Sequence, residues 1–82
     1  MAGNKIQVQY FAILREQAGH SQENLESSAS TPRELYAELA AKYDFHLSLD
    51  QVKVSINENF QPMDTPLKCG DTVVFIPPVA GG

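Results

Sequence analysis

The stretch Thr72-Val73-Val74-Phe75-Ile76-Pro77-Pro78 decides the fold. Successive residues of a strand point to opposite faces, so Val73 and Phe75 share one face and Val74 and Ile76 the other. A strand that is apolar on both faces is central and covered on both sides, or its second face meets a partner. Pro77-Pro78 ends it, because proline has no N–H to give to a ladder. The most hydrophobic element of the chain is expected to pair with the first. That first element, Lys5-Ile6-Gln7-Val8-Gln9-Tyr10-Phe11, alternates with period two. Ile6, Val8 and Tyr10 face a core, Gln7 and Gln9 face away, and Phe11 falls on the glutamine face.

Between these strands lies the best helix. Thr31-Pro32-Arg33-Glu34 reads as a capping box, with Thr31 accepting from the Glu34 N–H and the Glu34 carboxylate reaching back. Pro32 takes the first helical position, where its missing N–H costs nothing. Leu35, Leu39 and Tyr43 repeat every four residues, with Tyr36 and Ala40 beside them, which predicts an amphipathic helix ending near Tyr43–Asp44. A shorter helix is expected over Ala12–Ala18, stopped by Gly19 at a left-handed position. Gln22–Glu26 is a weakly signalled strand, and 44–51 reads as a connector. Val52, Val54 and Ile56 alternate with polar residues, Asn57-Glu58-Asn59 has turn chemistry, and Phe60-Gln61 is a return strand. Pro62–Lys68 is a loop, and Cys69-Gly70-Asp71 a tight turn into the last strand.

One main helix and one short helix on a mixed sheet of four to five strands is an α+β architecture. A β-grasp roll fits this order best, as a domain over 1–78 followed by a tail over 79–82. At 82 residues the chain has room for a single small domain. Ten acidic against six basic residues, a net charge of −4, carry no basic stripe of a nucleic-acid binder. The longest apolar runs fall far short of the ~20 residues that cross a bilayer, and the N-terminus has no signal-peptide core. Neither nucleic acid nor membrane is expected as a partner, and a cytoplasmic location is the default. A single cysteine excludes an internal disulfide, and two histidines at unrelated spacings make a metal site improbable. No phosphate loop is present.

Few residues are placed to carry chemistry. Cys69 has no neighbouring histidine or cationic cluster to lower its pKa, and reads as a passive thiol. His20 and His46 read as surface or loop residues. Asp44, Asp50, Glu58, Asp64 and Asp71 do not form a paired acid and base, and suit caps, turns and solvated surface. Two features remain. Val79-Ala80-Gly81-Gly82 follows the double proline as a slim end unable to fold back, fit to thread a narrow channel and present its α-carboxylate. Phe11, Phe60 and Ile76 stand off-phase from the core positions or after a turn, and together would form an apolar patch on the open face of the sheet. Read alone, Gly81-Gly82 suits a frayed end better than a site; the double proline and the short Val79-Ala80 lead-in shift the balance toward a reactive end.

Phe75-Ile76-Pro77-Pro78-Val79-Ala80-Gly81-Gly82 resembles the C-terminal signature of the molybdopterin synthase small subunit family. The likeness continues in Tyr10-Phe11-Ala12, Leu14-Arg15-Glu16, Gly19, Asn57, Pro66-Leu67 and Gly70-Asp71, nearly end to end. It implies a ubiquitin-like β-grasp sulfur carrier that is not catalytic alone and binds no cofactor of its own. An E1-like adenylating enzyme would use ATP to activate the Gly82 carboxylate, and a persulfide donor would convert it to a thiocarboxylate. The tail, Val79 to Gly82, would then enter the large subunit of the synthase and deliver sulfur to cyclic pyranopterin monophosphate, in an assembly of two copies of each subunit. The matching positions at Phe11, Phe60 and Ile76 line the contact with that subunit. The rivals are a thiamine-pathway sulfur carrier, a ubiquitin-like protein modifier whose glycine is captured by lysine, and a plain interaction domain.

Overall fold

The computed structural model describes residues 3–78; Val79, Ala80, Gly81 and Gly82 lie outside the described residues. Five strands form one sheet: β1 (Asn4–Tyr10), β2 (Gln22–Ser27), β3 (Lys53–Ile56), β4 (Asn59–Gln61) and β5 (Thr72–Ile76), in the spatial order β2-β1-β5-β3-β4. The last strand is central, as its two apolar faces require. β1 and β5 run parallel, Val8 opposite Val73 and Tyr10 opposite Phe75, while the other pairs are antiparallel. This is the β-grasp arrangement. Two helices complete it, α1 (Ala12–Ala18) and α2 (Pro32–Tyr43).

The register sorts the side chains by face. Ile6, Val8, Tyr10, Val54, Ile56, Val73 and Phe75 are buried together with Leu14 of α1 and Leu35, Tyr36 and Leu39 of α2. The Tyr36 ring meets Phe75 edge-on, centroids 5.3 Å apart, which locks α2 against the central strand. Each of the large aliphatic side chains contributes about 1.5–3 kcal/mol by leaving water.

Local chemistry accounts for the boundaries. Thr31 caps α2 by accepting from the Glu34 N–H at 3.3 Å. The expected reciprocal half of the capping box differs: the Glu34 carboxylate accepts from the N–H and hydroxyl of Ser30, at 2.8 and 3.0 Å, one residue before the cap. α1 ends at Gly19 in the left-handed region (φ 88°), with the Gly19 N–H on the Arg15 carbonyl. Phe11 is the N-cap of α1 and not the end of β1. The segment expected as a plain connector contains a short 3-10 helix, Leu49–Gln51, closed by a capping box between Ser48 and Gln51. β2 forms although its core-facing positions are Glu23, Leu25 and Ser27, opposite Val8, Ile6 and Asn4. Only one of the three is apolar, hence the weak alternation in the sequence.

Candidate functional site

The sheet has a second face, carrying Gln7 and Gln9 of β1, Thr72, Val74 and Ile76 of β5, and Lys53 and Ser55 of β3. The residues of β5 on this face are half-buried. Phe11 follows the last residue of β1 and is 48% exposed. Phe11, Val74 and Ile76 line one shallow depression of about 550 Å³, with Ser55 on its floor. Phe60, 72% exposed, lies opposite Ser55 on the edge strand β4, and cross-strand partners share a face. The structure therefore puts the three anticipated residues on one face, with Phe11 and Ile76 in the depression and Phe60 beyond Ser55. Val74, which completes the patch, was not singled out from the sequence, although the apolar second face of its strand marked it. A single exposed ring is ordinary, but Phe11, Val74, Ile76 and Phe60 share one face, and apolar residues grouped in this way are what mark an interaction surface.

The ends of β5 locate this face relative to the glycine end. Ile76 is opposite Lys53, and Phe75 is opposite Tyr10, so the chain leaves the sheet beside Phe11 and Ile76. Pro77 is buried and Pro78 exposed. The C-terminal end of β5 therefore lies at the margin of the apolar patch.

The opposite end of β5 is pinned by polar contacts. Asn57 Nδ2 donates to Asp71 Oδ1 at 2.9 Å, and Asn57 Oδ1 accepts from the Thr72 N–H at 3.0 Å. Asp71 Oδ2 accepts from the Lys68 N–H at 2.8 Å. Asp71 is thus a buried acceptor that ties the β3–β4 turn to the start of β5, more than the solvated turn residue expected of it. Asp64 pairs with Arg33 at 2.8 Å on the surface, which holds its carboxyl below the ordinary range. Asp44 caps α2 in a left-handed conformation.

Cys69 is exposed in its turn. His20 and His46 are both exposed, as expected, and the His20 Nε2 also lies 3.2 Å from Glu23 Oε2 and 3.3 Å from the Tyr43 hydroxyl. Tyr10 and Tyr43 donate to the same carboxylate at 2.5 and 2.7 Å. Burial, then the bond to Glu23, pushes the Tyr10 phenol far above its ordinary pKa, so it stays neutral. This cluster sits on the core side of the sheet, away from the apolar patch. Among the described residues no group of three or more histidine, cysteine, aspartate and glutamate side chains is disposed to hold a metal, and no helix is long and apolar enough to cross a membrane. The open face carries an apolar depression beside the C-terminal end of β5.

Comparison with known proteins bears on the family of the chain. The chain is 36% identical over 80 residues to the molybdopterin synthase sulfur carrier subunit of Haemophilus influenzae, covering 94% of this chain and 99% of that one. It is 35% identical over 80 residues to the subunit of the same name from Escherichia coli, again covering 94% and 99%. Among solved structures, the complex of subunits 1 and 2 of the molybdopterin-converting factor from Helicobacter pylori contains a chain similar to this one. That chain is 30% identical with a TM-score of 0.63, and the match covers 95% of this chain and 99% of the other. The family model described as the ThiS family matches residues 8–82, through the last glycine. On that match and on the likeness along nearly its whole length, the chain belongs to the ThiS family.

Proposed function

We propose that this protein is the sulfur carrier subunit of molybdopterin synthase, acting through the carboxyl group of Gly82. The observation that carries the reading is the likeness to sulfur carrier subunits of that synthase over 94% of the chain, together with a family match that runs through residue 82. The same relatives favour this pathway over the thiamine carrier and over a protein modifier.

A free carboxylate is a poor electrophile, so an E1-like enzyme adenylates Gly82 with ATP and releases pyrophosphate. The outer sulfur of a persulfide donor then displaces AMP to form an acyl disulfide, and a thiol cleaves that disulfide, leaving the thiocarboxylate on Gly82 and the donor sulfur in a disulfide with the thiol. Val79, Ala80 and Gly81 carry this group into the large subunit, which supplies the acids, bases and pterin pocket. The folded body contributes binding, through Phe11, Phe60 and Ile76, and this chain performs no catalysis alone. A cytoplasmic setting suits these reactants.

Intact-mass analysis after incubation with the activating enzyme, ATP and a persulfide donor tests the reading. One oxygen exchanged for one sulfur at Gly82 is the expected result. A lysine adduct instead assigns the chain to protein modification, and an unchanged mass leaves it an interaction domain. A variant lacking Gly81 and Gly82 is expected to support no dithiolene formation, and full activity from it would overturn the assignment.

A further inference from the structure

Among the described residues, four other than glycine hold a left-handed backbone: Ala12 (φ 54°), Asp44 (59°), Asn57 (52°) and Glu58 (75°). Aspartate and asparagine tolerate this region. Asp44 closes α2, and the Asn57 side chain is bonded to Asp71 and to the Thr72 N–H. Glu58 has no such excuse. It is the second central residue of the two-residue turn joining β3 to β4, where glycine is the usual occupant. Its carboxylate enters no ion pair among the described residues. A glutamate is held in a conformation that glycine would adopt without strain, and residues kept at such a cost cluster at functional surfaces.

Its position supplies the second observation. Glu58 lines the depression that holds Phe11, Val74 and Ile76, and among the described residues it is the one charged side chain lining it. The Asn57 N–H is bonded to the Thr72 carbonyl, which puts the turn beside the first residue of β5. The chain departs toward Gly82 from the other end of that strand. The apolar patch therefore has an acid at one end and the departing chain at the other.

We propose that Glu58 is a specificity-determining residue of the docking face, pairing with a lysine or arginine that the large subunit presents beside its apolar surface. The proposal rests on the reading that this face docks that subunit. Apolar contact alone leaves the rotation of the carrier within the interface weakly defined. A charge pair at the N-terminal end of β5 fixes that rotation, and with it where the C-terminal end of β5 meets the large subunit. Rim charges act in this way, on orientation and encounter rate more than on total affinity.

The test uses the full chain and the large subunit from the same organism, with affinity measured across a range of salt concentrations. Glu58→Gln is expected to keep the parent Tm and weaken association about two- to fivefold at low salt, the difference closing by about 0.5 M salt. Glu58→Gly is expected to weaken association equally while raising Tm by about 4 °C, because the strain is gone. Unchanged affinity in both variants across the salt range overturns the proposal, and a Glu58→Gly Tm at or below the parent removes its premise. Phe11→Glu separates the two levels. If it abolishes association while Glu58→Gln does not alter it, the docking face stands and Glu58 has no part in it. If neither alters association, the docking face itself is refuted.

Discussion

At the scale of single residues, Glu23 is the least expected feature. It stands opposite Val8 on a core-facing position and is clasped by Tyr10, Tyr43 and His20. Burial pushes its carboxyl up, but the three hydrogen bonds outweigh that and hold it below its ordinary value of 4.5. A pKa lowered in the folded state gives stability that is complete above the unfolded value and is lost as pH falls through the folded one. Glu23→Gln, which keeps the shape and removes the charge, is expected to cost about 1–3 kcal/mol near neutral pH. It should also flatten the acid limb of a stability profile taken below pH 4.5. Superimposable acid limbs for the two proteins would show that the cluster carries no such linkage. Cys69 is the opposite case: exposed in a turn and away from the patch, it is expected to be replaceable by serine with sulfur loading at Gly82 unchanged, as read by intact mass. The passive character of Cys69 was legible in the sequence. The role of Glu23 was not, because its partners come from β1, α2 and the α1–β2 turn and meet only in the fold.

At the scale of elements, legibility followed how local the determinants are. α2 was plain because its cap, its proline and its apolar stripe are all within one stretch, and its observed span, Pro32–Tyr43, matches them. The two contributions separate by mutation. Thr31→Ala removes one capping bond and is expected to cost about 1 kcal/mol. Leu39→Ala leaves a cavity under the helix and is expected to cost about 2–5 kcal/mol, since Leu39 is 2% exposed. Equal losses in denaturant unfolding would mean that the cap, not the packing, holds the helix. β2 was faint because Glu23 and Ser27 occupy its inner positions, satisfied by Tyr10, Tyr43 and the Glu38 carboxylate. The 3-10 helix over Leu49–Gln51 was missed because a single turn closed by Ser48 and Gln51 leaves no periodicity to read. The strained turn at Glu58 was read as turn chemistry without its left-handed geometry, since nothing in Asn57-Glu58-Asn59 spells glycine.

At the scale of the molecule, one sheet presents two faces of different character. The inner face joins both helices in a core that the period-two patterns of β1 and β5 already announced. The outer face is apolar only where β5 and the residues flanking it expose Phe11, Val74 and Ile76, with Phe60 across Ser55. The off-phase positions of Phe11 and Ile76 made this legible; which end of the patch the chain departs from needed the register of β5. On the proposed reading, binding and delivery are separable. Phe60 is 72% exposed on a short edge strand, so Phe60→Asp removes almost no folded-state packing and is expected to shift stability by less than about 0.5 kcal/mol. If the large subunit covers it, as proposed, the same ring is worth about 1.5–3 kcal/mol of apolar burial, and an aspartate there adds a desolvated charge. Association measured by calorimetry is expected to weaken at least about tenfold, while an activating enzyme that needs only the carboxyl end still loads sulfur. The variant lacking Gly81 and Gly82 is expected to show the reverse, near-parent affinity and no loading. A Phe60→Asp protein that binds as the parent does would place the docking surface elsewhere on the molecule. One that neither binds nor loads would show that the activating enzyme reads the same face.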